Sequence, residues 1–160
     1  MKKIKLFVWI ASGILLAGMA GCNTNNLIDT NVEMPQRNWS YVNKVKAIVG
    51  IKDPAKAFTL KFKLRHTADY RYSNIYILMH ISGPGIPEVT RRYEYKLAES
   101  DGQWLGKGSG NLYTYSLPLL SSYHFPKSGD YQIVIEQNMR DNPLKEVSDV
   151  GIVVADITAK

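Results

Sequence analysis

The sequence predicts an all-β protein: one antiparallel β-sandwich of about seven strands, with immunoglobulin-like or jelly-roll connections. Three observations carry this reading. Apolar residues recur with a period of two rather than 3.6. The alternating segments are punctuated by turn residues, and no long amphipathic helical pattern competes with them.

In chain order, the first candidate strand is Tyr41–Ile51, which precedes an Asp53-Pro54 break. Phe58, Leu60, Phe62 and Leu64 then alternate with Thr59, Lys61, Lys63 and Arg65, the signature of a half-buried strand. Ile75–Ser82 is apolar on both faces, so it belongs in the middle of a sheet or under a cover, and Gly83-Pro84-Gly85 ends it. Tyr93, Tyr95 and Leu97 alternate with Arg92, Glu94 and Lys96 up to a turn at Asp101-Gly102. Leu112–Leu119 follows, then Ser128-Gly129-Asp130, then Tyr131, Ile133 and Ile135 alternating with Gln132, Val134 and Glu136. Beyond Asn142-Pro143, Val150–Ile157 is again apolar on both faces. Seven short strands at this spacing are the pattern of a sandwich.

The chain of 160 residues opens differently. Met1–Lys5 carries three lysines, and Leu6–Ala20 is an uncharged, mainly apolar run. A membrane-spanning helix needs about 20 such residues, whereas a basic block, a shorter apolar block and small residues describe a secretory leader. The small residues lead straight to Cys22, the only cysteine. Met19-Ala20-Gly21-Cys22 resembles the lipobox of bacterial lipoproteins, with Met19 where leucine is commonest. That resemblance implies cleavage of residues 1–21, lipidation of the Cys22 thiol with acyl chains such as palmitate, and a membrane partner reached through that anchor. Asn23, where the inner-membrane retention pattern has Asp, implies the outer membrane. The absence of an acidic run in "CNTNN" implies that the protein faces the periplasm. Residues 22–37 are polar and read as a lipidated tether, leaving 38–160 as the β-sandwich domain.

The formal charge of +6 overstates the basicity of the mature chain. Lys2, Lys3 and Lys5 depart with the leader, leaving 17 basic against 14 acidic side chains. That balance, without a basic cluster, excludes nucleic acid as an expected partner.

Signals for chemistry are few. His66, His80 and His124 stand on separate elements with no metal-ligand spacing and no second cysteine. His80 shares a strand face with Tyr76 and Leu78, which suits a satisfied, partly buried imidazole. "GQWLGKGSG" fails as a phosphate loop, because Gly102 and Gly106 have three residues between them and Gly108 follows Lys107. It reads as a structural glycine loop, with Trp104 capping one open end of the core. There is no G-x-S-x-G. No catalytic residue, metal site or cofactor is expected, and the chain reads as non-enzymatic.

"LRHTADYRYSNIYI", "YKLAESDGQWLGKGSG" and "FPKSGDYQIVIEQNMRDNPLKEVSDVGIVV", with the lipobox before them, resemble the gliding-motility lipoprotein family, GldH. The resemblance runs from about Trp39 to Val154. It implies a lipid-anchored subunit of the bacterial gliding, secretion-linked envelope machinery, partnered by other envelope proteins of that machinery, and it brings no catalytic residue or cofactor. The alternative from the residues alone is a cell-surface carbohydrate-binding sandwich, suggested by ten tyrosines with Trp39 and Trp104. Against it, Tyr93, Tyr95 and Tyr131 occupy core-facing positions. Two loops, Asp101–Gly110 and Asn138–Asp149, are the expected contact surfaces, with Trp104, Lys107, Arg140 and Asp141 as partner-binding candidates.

Overall fold

The computed structural model describes residues 26–158. The leader 1–21 and the lipidation residue Cys22 lie outside the described residues.

Twelve strand segments and one short 3-10 turn, Pro35–Arg37, make up the described chain, with no α-helix. They are β1 Asn26–Asp29, β2 Val32–Glu33, β3 Asn38–Trp39, β4 Val45–Ile51, β5 Phe58–Thr67 and β6 Asn74–Gly83. Then come β7 Ile86–Lys96, β8 Lys107–Ser109, β9 Leu112–Tyr123, β10 Gly129–Gln137, β11 Leu144–Lys145 and β12 Val147–Asp156. One sheet runs β1-β12-β5-β9-β8, with β2 also on β12; the other runs β4-β10-β6-β7; β3 and β11 form a small pair.

Every pairing is antiparallel, and the order has a simple logic. From the β6–β7 hairpin outward, β5 pairs with β9, β4 with β10, and β1 with β12. The chain is one long hairpin ribbon wound into two sheets, which is a jelly roll. The expected all-β sandwich is therefore present, with the jelly-roll connections rather than the immunoglobulin-like ones. β6 lies between β10 and β7, and β12 between β1 and β5. β12 is buried on both faces along most of its length, whereas β6 alternates buried residues with half-buried ones, Tyr76, Leu78 and His80 lying on its outer face.

Alternation fills the space between the sheets. β4 reads strictly buried–exposed from Val45 to Ile51, and β5 buries Phe58, Leu60, Phe62 and Leu64. Tyr131 has no exposed surface, and its hydroxyl lies between two carbonyl acceptors, those of Pro84 (2.7 Å) and Lys127 (2.8 Å). Tyr93 and Tyr95 stack with ring centroids 6.0 Å apart and donate to the carbonyls of Leu119 (2.9 Å) and Pro118 (2.5 Å). These two carbonyls belong to the part of β9 that β8 leaves uncovered. The tyrosines thus close an open flank of the sandwich and occupy acceptors that would otherwise invite another chain.

Within the segment 22–37, read as a tether, the described residues from Asn26 onward include two strands. Asn26 pairs with Ala155, Asp29 with Val153, Val32 with Val150 and Glu33 with Asp149, while Met34 is buried. Asn26–Glu33 is thus attached to the first sheet through β12. The segment lacks alternating large side chains because backbone pairing, not side-chain burial, attaches it. A short, polar edge strand is also a common means of blunting a sheet edge. The approach is close at Gly151, where a Cβ would lie 2.1 Å from the carbonyl oxygen of Thr30. Only glycine fits there.

The connections gather at two ends. Asn26, the 52–57 loop, the β6–β7 turn, the 124–128 loop and Asp156 form the near end. The segments 40–44, 68–73, 97–106 and 138–143 form the far end.

Candidate functional site: the far end of the sandwich

The far end is organised around a buried histidine. His66, near the end of β5, has no exposed surface. Its ring lies among those of Trp104 (4.5 Å), Tyr70 (4.8 Å), Tyr115 (5.3 Å) and Tyr113 (5.9 Å). Nδ1 is 2.7 Å from the Thr67 carbonyl oxygen, and Nε2 is 3.3 Å from the Tyr115 hydroxyl, which itself donates to the Leu97 carbonyl (2.8 Å). Burial lowers the His66 pKa, and the Thr67 carbonyl opposes that only in part. Lowering means that the unfolded chain takes up the proton first, so stability falls with pH below about 6.5, the ordinary histidine value. Urea midpoints measured from neutral pH downward are expected to fall in that range, and His66→Gln to flatten the fall. A slope that His66→Gln leaves unchanged would contradict this.

Trp104 reaches His66 because its loop folds back on itself. Ala98 and Trp104 form a β-bridge, Glu99 N–H donates to the Gln103 carbonyl (2.8 Å), and Leu105 N–H donates to the Leu97 carbonyl (2.9 Å). At Gly106 a Cβ would sit 2.6 Å from the Tyr115 ring, so glycine lets the loop lie flat on the core. Trp104 caps the core, as expected.

The second loop is tied down from inside. The buried Gln137 side chain donates to the carbonyl of Asp141 (3.0 Å) and accepts from Met139 N–H (2.8 Å). From outside, the Tyr41 hydroxyl donates to the Met139 carbonyl (2.6 Å), and Asn142 Oδ1 accepts from Tyr41 N–H (3.0 Å). Tyr72 joins the two loops. Its ring meets Tyr70 edge-on (5.9 Å), and its hydroxyl donates to the Asp141 carboxylate (2.6 Å), a hydrogen bond that raises the Tyr72 pKa. Arg71 is 80% exposed, 3.9 Å from the same carboxylate and 5.8 Å above the Tyr72 ring.

The four candidate residues therefore divide. Arg140 is exposed, and the Asp141 carboxylate bonds Tyr72 instead of its sequence neighbour Arg140. Trp104 is half-buried and faces the core, and Lys107 is exposed on the edge strand β8. All four stand at one end of the molecule. Sequence reasoning missed Tyr41, Val42, Arg71 and Tyr72, although Tyr70-Arg71-Tyr72 between two strands offered the signal of aromatic and cationic side chains on a loop. Val42 is 83% exposed and Leu105 50%.

Other regions offer less. His80 is held by Thr90 Oγ1 (2.8 Å) and Glu136 (2.8 Å), the satisfied imidazole expected. Beside the far end, an open depression of about 500 Å³ is lined by Ser73, Asn74, Glu94, Lys96, Ala98, Glu99 and Ser100. Hydrogen bonds from Asn74 and Tyr76 hold Glu94 below the usual carboxylate range. Among the described residues, no group of three His, Cys, Asp or Glu side chains is placed to hold a metal.

The family model described as "GldH lipoprotein" matches residues 26–154, both sheets and the whole far end. The chain belongs to the GldH lipoprotein family. Among GldH proteins, it is 32% identical over 106 residues to a "Gliding motility lipoprotein GldH homolog" of Christiangramia forsetii, covering 62% of this chain and 65% of that one. It is 24% identical over 150 residues to "Gliding motility lipoprotein GldH" of Flavobacterium johnsoniae, covering 88% and 92%. The first match thus spans just under two-thirds of the relative's length. No solved structure matches this GldH chain.

Proposed function

We propose that this protein is a non-enzymatic subunit of the bacterial gliding-motility, secretion-linked envelope machinery. It is held in the outer membrane by acyl chains on Cys22, faces the periplasm, and binds other envelope proteins of that machinery through its far end. Family membership supports the setting, since both relatives are named as gliding-motility lipoproteins or their homologue.

One observation carries the binding surface. Arg71, Arg140, Val42, Tyr41 and Leu105 stand exposed around a base of packed rings and pinned loop backbone. Arginine and tyrosine, with apolar neighbours, are the side chains that dominate protein–protein hot spots. A rigid base means that little ordering entropy is lost on docking. The carbohydrate-binding alternative gains nothing comparable, because among the described residues Tyr41 alone of the aromatic side chains is exposed. Deleting the gene is expected to stop surface gliding, or the secretion linked to it, and a plasmid copy to restore it. A deletion strain that glides and secretes normally would remove the chain from the machinery.

A further inference from the structure

We infer that the near end of the sandwich rests against the phospholipid headgroups of the anchoring leaflet, which holds the far end away from the bilayer. This rests on the acylation of Cys22 proposed above. Four residue steps separate Cys22 from Asn26, where β1 is already paired with β12. An extended chain spans at most about 3.6 Å per residue, so the leash is at most about 14 Å long. The strands β5, β6 and β12 each have 10 residues, which makes the sandwich about 33 Å from end to end. A leash less than half the length of the body, attached at one end of it, keeps that end at the membrane surface.

The near end also suits such a surface. It carries Lys52, Lys56 and Lys127 beside Asp53, Asp130 and Asp156. Lys52 and Lys127 are exposed; Lys56 lies 2.7 Å from Asp156 with its side chain 44% exposed. Leu27 and Ile157 expose 40% and 49% of their surface beside them. Lysines that reach phosphate oxygens while apolar neighbours enter the interface are a familiar arrangement at bilayer surfaces.

The test uses the mature protein purified from membranes and reconstituted in phospholipid vesicles containing a lipid with a nitroxide on its headgroup. Two exposed probes are compared, His124→Trp at the near end and Val42→Trp at the far end. The native Trp39 and Trp104, both at the far end, set the baseline. The inference expects the nitroxide to remove most of the fluorescence added by His124→Trp and to leave that added by Val42→Trp. Equal quenching of both, or of neither, would overturn it. Mass spectrometry of the Cys22 peptide from the same preparation separates the two ideas. An unmodified thiol overturns the anchor and this inference together, whereas an acylated Cys22 with an unquenched near end overturns the inference alone.

Discussion

Cys22→Ser is expected to move the protein from the membrane to the soluble fraction, or to leave it as an unprocessed precursor, and to abolish incorporation of labelled fatty acid. The effect is close to all-or-none because the anchor is additive. Each buried methylene contributes about 0.8 kcal/mol, and stable attachment takes more than one chain. No helix among the described residues is long and apolar enough to cross a membrane. The near-end lysines can orient a tethered domain, but as exposed charges they are screened within about a Debye length at physiological salt. Folding should be untouched, so the soluble variant should melt where the wild-type domain does. Fatty-acid label retained by Cys22→Ser would refute the anchor.

Trp39→Ala is expected to have the largest effect on stability. Trp39 has no exposed surface, lies 6.1 Å from Phe62, and donates from its indole N–H to the Asn43 carbonyl (2.9 Å). It also pairs with Leu144 through the backbone, and its carbonyl accepts from Gln137 (3.4 Å). It therefore joins the core, the 40–44 turn and the second far-end loop. Removing a buried tryptophan costs about 3–5 kcal/mol, against total stabilities of about 5–15 kcal/mol. At about 2–4 °C per kcal/mol for a domain somewhat larger than this one, the melting temperature should fall by roughly 10 °C or more. Trp39→Phe, which keeps most of the volume, should lose much less. Calorimetry of both variants checks this, and a melting temperature for Trp39→Ala within a degree or two of wild type would contradict the packing described.

Five of the seven long strands were legible because each carries its signal locally, as alternation or as a doubly apolar run between turns; Tyr41–Ile51 and Leu112–Leu119 fit less cleanly and were placed by the breaks around them. β1, β2, β3, β8 and β11 were not, since they are two to four residues long, too short for a period to show; β1, β2, β3 and β11 also attach by backbone pairing to partners far along the chain, whereas β8 pairs with the adjacent β9. The same non-locality hid the choice between jelly-roll and immunoglobulin-like connections. The order depends on which strands meet across a gap such as Asn26 to Ala155, and the period of a single strand is silent about that. At the far end, Trp104 was readable as a cap because glycines flank it in a loop. The partner of Asp141 was not, because Tyr72 stands 69 residues away and outcompetes the adjacent Arg140.

The claim that the far end binds a protein partner is tested most directly by reversing its two exposed arginines together. Arg71→Glu/Arg140→Glu replaces two exposed side chains, of which Arg71 holds a 3.9 Å ion pair with Asp141 and lies over the Tyr72 ring, so the domain should remain folded and membrane-bound. Charge reversal at a contact surface places like charges where complementary ones met, at a cost of several kcal/mol. The measurement is surface gliding by a deletion strain carrying the double variant, beside pull-down of the protein from solubilised membranes. Expected are wild-type levels and melting temperature, loss of the envelope proteins recovered with the wild-type chain, and failure to glide. Normal gliding with the same proteins recovered would contradict it.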